Sequence, residues 1–284
     1  MIVWEGVGVG LLLLLGKGFV WWKGLARARK SPSQSGQGNA GMKFQRNLEE
    51  LDRYLVFSVA IFFFVPIVFL SLTPVLTEIA SLIFFICLLC LSAYPGFCVI
   101  RLRRANQRDL LGELIVAEKL ATTQAHGCQV FHDYLTRSGW RIDHILVAPS
   151  GIFAIETITE RTGNFGMNKN SEVIFDGMHL HFPHYLDCDA LGAARHSASE
   201  LRWELNRINS QAVEVIPVVA IPGCRITSRG PSEVVVMNPE EFENLTTNHS
   251  SARFSTSEIA SFAQALNTGL ATREADLIPA AVET

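Results

Sequence analysis

Arg141 to Thr157 reads RIDHILVAPSGIFAIET. Two runs rich in Ile, Val, Leu, Phe and Ala meet at Pro149-Ser150-Gly151, a turn signal. The pattern predicts strands over Trp140–Ala148 and Ile152–Ile158. Alternation puts Asp143, Ile145 and Val147 on one face of the first. Ile152, Ala154, Glu156 and Ile158 share a face of the second. With a turn of the four residues Ala148 to Gly151, Val147 pairs with Ile152 and Asp143 stands opposite Glu156. A slip of one residue would send the two carboxylates to opposite faces. Like charges directly across a sheet destabilise it unless a cation neutralises them. Mg²⁺ favours sites with one or two carboxylates, and Glu113, following Gly112 on the preceding helix, can supply a third oxygen.

Outward from this block the chain continues as ordinary α/β sequence. Leu110, Leu114, Ala117 and Ala121 recur at helical spacing over Asn106–Gln124. Cys128–Leu135 reads as a strand. Glu172–Phe175 and His179–Phe182 flank Asp176-Gly177, a strong hairpin dipeptide. Leu191, Ala194, Ala198, Leu201, Leu205 and Ile208 mark one face of a long helix. Val213–Ile221 and Glu233–Met237 read as buried strands, and a last helix opens with the capping box Ser255-x-x-Glu258. The order predicts a mixed sheet with helices on its faces.

Towards the N-terminus the character changes. Of all residues, 49% are hydrophobic, and they crowd into the first hundred positions. Tyr54–Leu72 and Ala80–Ile100 carry no charge, and each approaches the length that crosses a hydrocarbon core of about 30 Å. Pro66 and Pro95 are tolerated in such segments. Lys43, Arg46 and Arg53 precede the pair; Arg101, Arg103, Arg104 and Arg108 follow it. The short loop between carries Glu78 and no cation. The expectation is a hairpin in the plasma (inner) membrane, loop outside and both flanks cytoplasmic. Residues 1–22 admit two readings: a third span with its N-terminus outside, which we prefer, or an interfacial helix. Ser31 to Gly41 is a flexible linker. The expected division is therefore 1–53 segment and linker, 54–100 hairpin, 105–270 soluble domain, 271–284 tail.

Gly112-Glu113, the IDH…PSG-aromatic…IET block from Arg141 to Thr157, and Gly163 after it resemble the NERD (nuclease-related) domain over about Leu110 to Thr268. The resemblance implies a restriction-endonuclease-like PD-(D/E)XK fold. It also implies that Glu113, Asp143 and Glu156 are the acidic metal positions, with Asp143 and Glu156 catalytic, Mg²⁺ or Mn²⁺ as cofactor and DNA or RNA as partner. The family's usual lysine falls at Ile158 and its glutamine near Ala193, and the spacing to Gly163 is one residue long. An isoleucine neither positions water nor stabilises developing charge. Arg141, across from Ile158 in this register, offers a cation but a poor base. The expected function is a membrane-anchored, degenerate or weak metal-dependent nuclease. The alternative is a non-catalytic, membrane-tethered protein-interaction module on the same fold.

Composition weighs on the same choice. From Ala105 onward 13 Lys/Arg face 22 Asp/Glu, a formal charge of −9. This counts against indiscriminate phosphate binding. Six scattered cysteines suggest reduced thiols, and Cys87-x-x-Cys90 lies in an apolar run, where packing is its expected role. His179-x-His181-x-x-His184 reads as hairpin surface, His144 as packing and Ser150 as a turn residue. Gly6-x-x-x-Gly10 is a weak helix-contact signal.

Overall fold

A computed structural model of the chain describes residues 40–72, 78–160, 171–208, 212–247 and 254–277. The N-terminal segment, most of the linker, the hairpin loop, Gly163 and the end of the C-terminal tail lie outside the described residues. The chain enters through two helices packed on one another, α1 (Met42–Leu72) and α2 (Glu78–Thr123). Gly96 of α2 sits against Ser58 of α1, where an added Cβ would lie 3.8 Å from the serine Cβ. Outward, Phe57, Phe63, Phe64, Leu82, Leu91 and Phe97 are exposed. Among the described residues one helix, taken from Phe85 to His126, is long and apolar enough to cross a membrane.

The helix expected to end at Ile100 and restart at Asn106 does neither. Arg101 to Arg108 are helix formers with no Gly or Pro to stop them, so α2 runs unbroken through its Pro95 for 46 residues, about 69 Å. The apolar segment and the helix bearing Glu113 are one rod.

Beyond α2, strands β1 (Gln129–Leu135), β2 (Arg141–Ala148) and β3 (Gly151–Thr157) form an antiparallel meander. Seven of the eight β2 residues are buried, because both faces of the sheet are covered; hence the near-continuous apolar run. The turn is as expected: Ala148 pairs Gly151 and Val147 pairs Ile152. Ser150 anchors it by donating to the Leu245 carbonyl at 2.6 Å.

After β4 (Ser171–Phe175), β5 (Leu180–His181), β6 (Leu186–Asp187) and helix α3 (Ala190–Ile208) comes β7 (Val215–Ala220). It lies parallel beside β3, with β9 (Val235–Met237) beyond it. The expected Asp176-Gly177 hairpin forms, β4 pairing with β5, but it belongs to a second sheet, order β6-β5-β4-β8 with β8 Cys224–Ser228, and not to the one mixed sheet expected. Its two-residue strands are too short to show alternation. A short helix α4 (Glu243–Thr247) precedes α5 (Thr256–Leu277). The capping box forms at the start of α5: the Ser255 N–H donates to Glu258 Oε2 at 2.7 Å. α3 and α5 cover one sheet face through Leu201, Leu205, Phe262 and Leu266. α2 covers the other through Val116 and Leu120, beside Phe153 and Phe242.

Gly112 decides how close α2 lies to the end of β3. A Cβ there would stand 2.2 Å from Thr159 Cγ2, and Thr159 is itself buried and bonded to Asp109. Gly112→Ala should cost about 2 kcal/mol as overpacking, despite its better helix propensity. Thr159→Ser, which removes the blocking methyl, should restore most of the lost melting temperature. A silent Gly112→Ala would show that α2 is free to shift.

Candidate functional site

At one end of the sheet three elements bring acidic side chains together. α2 supplies Glu113 and β2 supplies Asp143, both buried. β3 supplies Glu156, half-buried. Continuing the β2–β3 register beyond His144 and Ile155 places Asp143 opposite Glu156. Asp143 Oδ2 accepts the Thr157 N–H at 3.0 Å. Glu156 Oε1 accepts the hydroxyl of Ser197 on α3, and Ser197 in turn accepts the Trp140 indole N–H at 2.8 Å.

Like charges this close need a cation, and the cation is Lys43. Its Nζ lies 2.8 Å from Glu113 Oε1 and is ion-paired with Asp143 Oδ1. It comes from the first turn of α1, a hundred residues before Asp143. In the sequence Lys43 reads only as one of the flanking charges, since nothing local relates it to the carboxylates. Gly41 lets α1 begin there. It is left-handed (φ +76), and a Cβ would meet Leu110 Cδ1 at 2.3 Å. Its carbonyl accepts the N–H groups of Phe44 and Gln45.

The protonation states follow from burial and these pairings. Burial, and then the Asp143 charge, push Glu113 up to about 8 against the pull of Lys43. Burial and the same neighbour drive Glu156 well above the carboxylate range. Burial alone would raise Asp143 too, but the Lys43 ammonium, aided by the Thr157 N–H, outweighs it and the pKa falls. For Lys43 burial would lower the pKa; the charges of Asp143 and Glu113 overcome this and raise it above the ordinary lysine value. At neutral pH the cluster holds an Asp143–Lys43 ion pair beside a Glu156 carboxyl that burial and the Asp143 charge drive towards its protonated form.

The other sequence candidates fall elsewhere. Arg141 pairs with Asp133 of β1. Asp133 is buried in a left-handed conformation (φ 53), with its Oδ2 unpartnered among the described residues. Its flanking pairs place it across from Asp143, and its charge also bears on Glu113. The alternation that found Asp143 also reaches Asp133, which the sequence reading passed over. Ile158 packs against the apolar cluster of Val219, Ile221 and Leu191. Near Ala193, where the resemblance places a glutamine, it is Ser197, one turn further along α3, that bonds Glu156. His144 packs on the opposite face, its Nδ1 2.8 Å from His132 Nδ1, and burial lowers it to about 3. His179 and His181 converge on exposed Asp176, at 3.6 and 2.7 Å.

Carboxylate oxygens are the donors that Mg²⁺ or Mn²⁺ take. Here two of the carboxylates close on an ammonium and the third on a hydroxyl. Among the described residues no three His, Cys, Asp or Glu are grouped to hold a metal ion. Arranged in this way they do not fit one.

Residues 108–222 match the family model for NERD, the nuclease-related domain. The match contains Glu113, Asp143, Glu156 and Ser197, and ends short of the Thr268 reached by the sequence resemblance. No curated protein and no solved structure matches the chain.

Proposed function

We propose that this is a membrane-anchored, nuclease-related protein that engages DNA or RNA at the cytoplasmic face and cleaves it slowly. The observation that carries the reading is the convergence of Glu113, Asp143 and Glu156 in one pocket, inside the segment that matches the nuclease-related family. Ile158, where the resemblance calls for lysine, belongs to apolar packing; this is why the nuclease is degenerate. The resemblance implies Mg²⁺ or Mn²⁺, but the carboxylates as arranged hold an ammonium and not a metal ion, a second reason for slow cleavage. Anchoring is supported by the exposed Phe, Leu and Ile side chains along α1 and α2. The cytoplasmic orientation rests on the cations that flank the two apolar runs, Arg46, Arg53, Arg101 and Arg104 among them.

The test uses the full chain in detergent micelles with labelled DNA and RNA and either metal. Slow cleavage lost in Asp143→Asn supports the reading. Fast cleavage by the unmodified protein would remove its degenerate character. Neither binding nor cleavage of either nucleic acid would leave the second reading, a tethered protein-interaction module, which the −9 charge from Ala105 onward favours.

A further inference from the structure

We infer that Lys43 is the built-in counter-cation of the acidic pocket: its ammonium takes the place of a divalent ion between Glu113 and Asp143, and such an ion enters only when Lys43 withdraws. The inference rests on the proposed function only for the choice of Mn²⁺ as probe.

Geometry carries it. The Nζ touches two of the three carboxylates themselves, Glu113 at 2.8 Å and Asp143, rather than standing beside them. The side chain keeps 27% of its surface open, so the pocket has a mouth at this point. A lysine in the first turn opposes the helix dipole of α1; its place is held by tertiary contacts instead. Buried Ala40 and left-handed Gly41 seat the start of α1 against Leu110 and Glu113, and the ammonium lies 4.8 Å from the Phe44 ring centroid. Plug and socket also travel on different helices. Lys43 rides on α1 and Glu113 on α2, each running unbroken into an apolar segment. Sliding α1 along α2 would draw the ammonium out without unfolding the sheet.

The experiment is a Mn²⁺ titration of the full chain in micelles, read by the electron paramagnetic resonance of free Mn²⁺. Lys43→Met should bind Mn²⁺ at least about tenfold more tightly than the unmodified protein, with a melting temperature that now rises on adding Mn²⁺. Lys43→Arg should stay weak. If Lys43→Met fails to fold without metal, Lys43→Met combined with Glu113→Gln lightens the uncompensated charge. That pair should bind more tightly than Glu113→Gln alone. Equal or weaker Mn²⁺ binding on loss of Lys43 overturns the inference. So does cleavage lost with Mn²⁺ binding unchanged, which would make Lys43 a catalytic lysine. A gain of Mn²⁺ binding with no cleavage of any nucleic acid keeps the plug and removes the nuclease reading.

Discussion

Raising the pH from about 5 to about 8 should cost the folded protein roughly 3 kcal/mol of stability. Glu113 alone accounts for a loss of this size. Its folded pKa, about 8, lies above the ordinary 4.5. A carboxyl raised on folding contributes stability that is complete below its ordinary value and is lost as pH climbs through the folded one. Glu156, raised in the same direction, adds to the slope. Asp143 runs the other way: its pKa is lowered, so its contribution is present above the ordinary carboxylate range and fades only in stronger acid. Lys43, raised above the usual lysine value, contributes throughout this window and loses its effect only in strong base. Thermal unfolding in micelles at a series of pH values gives the curve. Glu113→Gln should remove its share of the slope and leave that of Glu156. A stability that rises with pH between 5 and 8, or a slope untouched by Glu113→Gln, would show that Glu113 is ionised in the native pocket.

Asp143→Ala should destabilise the protein by about 3–5 kcal/mol at neutral pH, the usual cost of removing one partner from a buried ion pair. The change leaves the Lys43 ammonium facing Glu113 alone and strips the Thr157 N–H of its acceptor. Part of the loss should be recovered by Glu113. With the Asp143 charge gone and Lys43 still 2.8 Å away, its pKa should fall and the carboxyl should ionise. The variant should therefore show a much weaker pH slope than the unmodified protein. Adding Lys43→Met to Asp143→Ala should then cost much less than Lys43→Met alone, and the difference measures the coupling of the pair. Additive effects would mean that the two side chains do not share an ion pair in solution.

Both expectations hang on Asp143 and its neighbours, of which the sequence by itself determined only some. Strand alternation has a period of two, so with the turn taken as Ala148 to Gly151 the run RIDHILVAPSGIFAIET set Asp143 across from Glu156, and the pairing of Val147 with Ile152 bears that turn out. The capping box at Ser255 and Glu258 is equally local, as are the apolar runs of α1 and α2. The continuity of α2 from its apolar run into the helix bearing Glu113 is local too, since Arg101 to Arg108 contain no Gly or Pro to stop it. The second sheet pairs β4 with β8 across some fifty residues of chain, and neither strand's own residues name the other. Ser197 reached Glu156 only because α3 packs against β3 in the folded protein. Lys43 is the clearest case. Its carboxylates lie 70 and 100 residues away, and a lysine has no periodicity or spacing that announces a partner. Only the seat made by Gly41 against Leu110 brings its ammonium between them.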